Sequence, residues 1–127
     1  MEHDDGFTEC LGLTFTEISG DKVIATWTAG PQHHQFYGIV HGGVHASVVE
    51  TLGSYGAGAW LGDKGKVVGV SNSTDFFRAV KTGEMTSTAA PIHQGRSSQV
   101  WVVETHDEEG KLVARGQLRL QNLAATN

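Results

Sequence analysis

HGGVHASVVETLGSYGAGAWL, residues 41–61, decides how this chain folds. Val44, Val48, Leu52 and Tyr55 recur at helical spacing, and Ala46, Val49 and Ala57 fill other directions. The period predicts a helix from about Gly42 to Leu61, apolar over most of its circumference, as expected of one held in a domain centre. Glu50 is the exception. On a wheel of about 100° per residue it falls within about 60° of Ser47, and Thr51, Ser54, Gly43 and Gly58 share that arc. A solvated face normally carries several charges; this stripe carries one carboxylate among small and hydroxyl residues, which fits a crevice better. Glu50 is therefore the candidate functional acid, with the stripe hydroxyls as candidates to hydrogen-bond it.

HisGlyGly (41–43) stands at the helix start. Glycines there let another group approach the backbone, and the first helical N–H groups lack internal partners at the positive end of the dipole. Such a terminus can bind an anion or stabilise an oxyanion during acyl transfer. Glu50 lies about two turns on, or about 12 Å of rise.

On either side of the helix the text reads as strand. Leu13–Thr28 alternates around a turn at Ser19–Asp21, and residues 29–40 are too rich in Gly and Pro for a regular element. After GlyAspLysGly (62–65) come strand-like runs at Lys66–Thr74, Glu84–His93, Gln99–His106 and Lys111–Asn122, with AspGluGluGly (107–110) turning the last two into a hairpin. A strand pair, one long buried helix and about four further antiparallel strands make an α+β domain. No repeat or linker divides the sequence, so residues 1–127 are expected to form a single domain.

Composition excludes several function classes. The net charge is −5 and no basic cluster appears, so the electrostatic footprint of a nucleic-acid binder is missing. Cys10 is the single cysteine, which rules out an intrachain disulfide and favours a reducing compartment. The start, MetGluHisAspAspGly, lacks the basic head and apolar core of a signal peptide, and no run approaches the ~20 apolar residues of a membrane span. A cytoplasmic protein is expected, with no nucleic-acid and no membrane partner.

The same stretch bears on three rival chemistries. His41 and His45 have the i, i+4 spacing of a helical metal pair, with His33 and His34 near, but no HExxH motif occurs and no metal is expected. GlySerTyrGlyAlaGly (53–58) has the glycines of a dinucleotide fingerprint, yet it lies inside a helix rather than between strand and helix. No GxSxG elbow marks a serine hydrolase.

Taken together, GlnPheTyrGlyIleValHisGlyGly (35–43) and GluThrLeuGlySer (50–54) resemble the hotdog-fold acyl-CoA thioesterases of the phenylacetate-degradation type. Within that family they look most like the branch that hydrolyses hydroxybenzoyl-CoA and dihydroxynaphthoyl-CoA. The resemblance runs from about Leu11 to Leu123, with residues 67–80 and 91–101 supporting it. It implies a hotdog fold, in which an antiparallel sheet of five to six strands wraps one central helix. It also implies hydrolysis of an acyl-CoA thioester with an aromatic acyl group, with coenzyme A as part of the substrate and no separate cofactor.

The resemblance further implies roles by residue. Glu50 would be nucleophile or general base. Gln35 and the Gly42 N–H would polarise the carbonyl. His41 would orient the loop and the leaving-thiolate side, Ser54 would position water or the glutamate, and Gly43 would lie at the substrate. Phe76, Phe77 and Arg78 would come from a facing protomer, and Arg78 and Arg96 with Ser97 and Ser98 would hold coenzyme A phosphates. Where the aromatic-acyl branch carries His and Pro around that arginine, this chain has PhePheArgAla (76–79). His33, His34 and His45 are outside the motif and are read as solvated or supporting. Assembly as a dimer of dimers, with sites at the dimer interface, is implied as well. A non-catalytic acyl-CoA-binding module and a hotdog hydratase or dehydratase are the alternatives.

Overall fold

A computed structural model describes residues 6–125; the acidic start Met1–Asp5 lies outside them, as do the last two residues. The order is α1 (Gly6–Leu11), β1 (Thr14–Ile18), β2 (Val23–Ala29), α2 (Gly42–Leu61), β3 (Gly65–Phe76), β4 (Gly83–Gln94), β5 (Ser98–His106) and β6 (Leu112–Ala124). The described strands join one antiparallel sheet in the order β1-β2-β4-β5-β6-β3, and α2 packs against β2 to β6. This is the hotdog fold, with six strands. The helix bounds agree with the apolar period. The short α1 has no counterpart in the sequence reading, because six residues give too few turns for a period to show.

The core forms where α2 meets the sheet. Val48, Val49, Leu52 and Ala57 of the helix are buried against Trp101, Val103, Leu118 and Leu120. Glycines bring the two layers together: a Cβ on Gly56 would lie 2.5 Å from the Trp101 ring, and one on Gly53 would lie 2.7 Å from Leu118. Buried Gln99 ties the layers by hydrogen bonds. Its Nε2 donates to the Ala57 carbonyl and to Asn122, while its Oε1 accepts from the Trp101 indole. At the far end of α2, Gly62 takes φ 64° and ends the helix, its N–H donating to the Gly58 carbonyl.

β3 is the last strand of the sheet, so one of its edges has no neighbour. Its pairing with β6 slips between Gly69 and Ser71, a bulge halfway along the strand. That bulge lies beside Glu50.

Candidate active site

The start of α2 is capped by its own sequence. His41 has extended backbone angles and its Nδ1 accepts from the Gly43 N–H at 2.7 Å, satisfying one of the orphan donors. The acceptor role leaves the proton on Nε2 of this exposed residue. The His41 N–H donates to the His33 carbonyl and the Val40 N–H to the Val80 carbonyl, so the entry turn is held from two sides.

Gln35 is fixed in that turn. Its N–H donates to the Ile39 carbonyl and its own carbonyl accepts from the Gly38 N–H, with Gly38 at φ 79°. The Tyr37 N–H donates to the Gln35 side-chain Oε1. Because the oxygen is engaged, the amide hydrogens on Nε2 are the ones left to donate outward. Gln35 and Gly42 line one cavity of about 320 Å³, together with Val40, His45, Phe76 and Arg78.

Glu50 lies in the adjoining cavity, about 400 Å³, with Ala46, Ser47, Asn72, Thr74 and Phe76. Phe76 is the wall common to both. Its ring packs so closely on Gly42 that a Cβ there would sit 2.7 Å from it. Within one chain, then, an aromatic ring stands between Gln35 and Gly42 on one side and Glu50 on the other.

Asn72 on β3 positions the carboxylate. Its Nδ2 donates to the Ala46 carbonyl at 2.9 Å and to Glu50 Oε1 at 3.2 Å, and Thr74 holds the Asn72 oxygen at 2.7 Å. The other carboxylate oxygen lies over Gly69, where any Cβ would approach to 2.2 Å. The sequence reading missed Asn72, Thr74 and Gly69, because only the packing of β3 against α2 brings them to the helix. It also gave the wrong donors. The Ser47 hydroxyl donates to the Gly43 carbonyl and Thr51 to the Ser47 carbonyl, each one turn back, so neither serves Glu50. Glu50 is exposed in the single chain, although the stripe reads as the lining of a crevice. Ser54 is half-buried one turn after it and does not line either cavity.

Of the three histidines outside the motif, His34 is half-buried with its Nε2 2.6 Å from the Lys81 carbonyl, while His33 and His45 are buried rather than solvated. His33 is buried with both ring nitrogens engaged: Nδ1 accepts from the Gly30 N–H and Nε2 donates to the Leu11 carbonyl. His45 is 3% exposed and its Nδ1 has no hydrogen-bond partner. Burial, and secondarily His33, lowers its pKa from about 6.5 to about 4. The helical wheel carried the signal, since His45 falls about 160° from Ser47, opposite the polar stripe. Among the described residues no three of His, Cys, Asp or Glu are grouped to hold a metal ion.

Residues 37–114 match the Thioesterase superfamily. The chain belongs to the thioesterase superfamily. S. sahachiroi AziG, of known structure, is 53% identical, with a TM-score of 0.92 over 94% of this chain and 97% of that one. Rv1847 of Mycobacterium tuberculosis is 46% identical over 122 residues, which is 94% of this chain and 87% of its own length. The proofreading thioesterase EntH of Cronobacter sakazakii is 36% identical over 110 residues, covering 87% of this chain and 80% of that protein. Membership supports thioester hydrolysis as the reaction class.

Within this thioesterase chain the remaining candidates lie at two ends. Phe77 and Arg78 follow β3 and line the Gln35 cavity. Arg96 and Ser97 lie in the β4–β5 turn and line a different hollow of about 350 Å³ with Trp60, Lys64 and Leu123, and Ser98 opens β5. The turn is bound to Asn122, which pairs with Val67 near the start of β3, whereas Arg78 follows its end. At about 3.3 Å per residue the two arginines are roughly 30 Å apart along the sheet. A single chain does not bring them together.

Proposed function

We propose that this protein hydrolyses an aromatic acyl-CoA thioester in the cytoplasm, releasing the free acid and coenzyme A. The observation that carries the reading is the placement of Glu50: a carboxylate held by Asn72 on an open helix face, next to a cavity where Gln35 and Gly42 offer donors. A thioester is already activated, so a polarised carbonyl and an oriented carboxylate suffice for its hydrolysis. Gln35 Nε2 and the Gly42 N–H hold the carbonyl oxygen as it gains charge. Glu50 either attacks the acyl carbon or takes a proton from the attacking water. The sulfur leaves as a thiolate, on the side where His41 presents its Nε2 proton.

The working unit is at least a dimer, and a dimer of dimers follows if both faces are used. The open edge of β3 offers unpaired backbone groups, and Val70 and Phe76 on it are 50% and 55% exposed. Phe36 and Tyr37, beside Gln35, are exposed too. Two β3 edges paired antiparallel about a two-fold axis would set the start of one strand by the end of the other. That arrangement carries Arg96 of one copy towards Arg78 of the other, as a shared phosphate clamp for coenzyme A requires. It also gives the Glu50 of one copy a route to a carbonyl held by Gln35 and Gly42 of the other.

Thiol release from a panel of aromatic and aliphatic acyl-CoA esters tests the reading. Wild-type protein should turn over at least one aromatic ester, and Glu50→Ala should lower turnover by ~100-fold or more, the scale for losing a catalytic acid or base. Near-normal turnover in that variant would sink the mechanism.

A further inference from the structure

Arg96 sits in the short β4–β5 turn, and that turn is held from outside by Asn122, near the end of β6. The Asn122 Nδ2 donates to the Gly95 carbonyl at 2.9 Å and to the Arg96 carbonyl at 3.2 Å, and its backbone N–H donates to the Ser97 carbonyl at 2.9 Å. One residue thus holds three consecutive carbonyls. The direction of its amide is forced by a relay that starts in the core. The Trp101 indole can only donate, so Gln99 turns its Oε1 towards it, at 2.9 Å. That leaves the Gln99 Nε2 to donate to Asn122 Oδ1 at 2.9 Å and to the Ala57 carbonyl at 3.2 Å. Asn122 can then offer the turn only its Nδ2 hydrogens. Gln99 is fully buried, where a half-satisfied amide is costly and Leu or Met would fill the space without that cost. What the polar pair adds over an apolar one is direction, delivered to the turn that carries Arg96.

We propose that Asn122, oriented by Gln99 and Trp101, is a positioning residue that presents Arg96 to a phosphate of coenzyme A. The inference rests on the acyl-CoA reading above. Arg96 lines its hollow together with Lys64, and among the described residues no acidic side chain lines it. Neither cation takes part in an ion pair among those residues. The same strand end steadies Lys64 as well, because the Ala125 N–H, just past β6, donates to the Lys64 carbonyl at 2.9 Å. An arginine on an unrestrained turn would lose backbone freedom on meeting its anion, at the expense of affinity. Where the carbonyls are already held, that ordering is complete before the ligand arrives. Asn122 therefore acts on the binding of the phosphate-bearing end of the substrate, and not on the chemistry at the acyl carbon.

Two thioesters of one aromatic acid decide the matter, one on coenzyme A and one on N-acetylcysteamine, which keeps the thioester but has no phosphate. Asn122→Ala should raise KM for the CoA ester about tenfold, with kcat within about twofold, and leave kcat/KM for the short ester at the wild-type value. In an Arg96→Ala background the same change should add nothing, because the group it serves is gone. A fall in kcat, an equal effect on both esters, no effect on either, or full additivity with Arg96→Ala would overturn the inference. Should Asn122→Ala fail to fold, the side-chain amide resonances of Asn122 in wild type serve instead. They should shift with coenzyme A and not with pantetheine, and an equal response to both, or none to either, counts against the proposal. Wild-type protein that releases thiol without preferring the CoA ester to the short one overturns this inference and leaves the hydrolysis reading standing. Absence of thiol release from both esters, with the protein folded, overturns that reading and this inference with it.

Discussion

Glu50 lies across Gly69, a residue of β3 with no side chain to displace it, and accepts a hydrogen bond from Asn72. Carboxylate placement at this site is therefore set by β3 rather than by the helix that bears it. Gly69→Ala puts a methyl where Oε2 now lies. The clash is with the tip of a flexible side chain, so the fold should tolerate it and the carboxylate should move. A misplacement of about 1 Å can cost on the order of 100-fold in rate; turnover should fall on that scale while the unfolding midpoint stays near the wild-type value. A matching loss of stability would show that Gly69 serves packing instead. Asn72→Ala should lower kcat with little change in KM, and a pure KM effect would contradict its role in holding Glu50. His45 gives a pH signature. Its folded-state pKa, about 4, lies below the unfolded value near 6.5, so the unfolded chain binds the extra proton first. Stability should hold above pH ~6.5 and fall as the pH drops towards about 4, by at most about 3 kcal/mol. Denaturant titrations of wild type and His45→Phe across that range should differ in this slope, and parallel curves would contradict it.

At the scale of elements, α2 was legible because its period is long and its ends are marked. His41 and Gly62 cap it where the apolar repeat starts and stops. The strand runs were legible from alternation, and the β1–β2 and β5–β6 turns from their Gly- and Asp-bearing segments. What the helix wheel could not give was the partner of the polar stripe. Ser47 and Thr51 satisfy themselves on the preceding turn, and the donor to Glu50 comes from Asn72, past a bulge whose position no period reveals. The separation of Arg78 from Arg96 was equally hidden, since it follows from strand order, not from spacing. Two substitutions test the helix itself. Gly56→Ala forces a methyl into the Trp101 ring and should destabilise by about 1–3 kcal/mol in chemical denaturation. His41→Ala should cost about 1 kcal/mol, the general scale for an N-cap, and His41→Ser should recover most of it. No loss in His41→Ala would mean that the 2.7 Å contact to Gly43 does not stabilise the helix.

The sheet ends in two edge strands, β1 and β3, and the chemistry-bearing residues border the β3 edge. Gln35 and Gly42 lie on one side of Phe76 and Glu50 on the other. If two copies join along β3, each hydrolytic site draws its carbonyl donors from one copy and its carboxylate from the other. Co-expression of Gln35→Ala and Glu50→Ala chains, each with its own tag, measures this directly. Neither variant alone should release thiol at more than a small fraction of the wild-type rate. Mixed dimers would contain one site with both residues intact. Random pairing should then restore about a quarter of wild-type activity, because about half of the dimers are mixed and half of their sites are whole. Thiol release no greater than that of the separate variants, from a preparation shown to contain mixed dimers, would contradict the account.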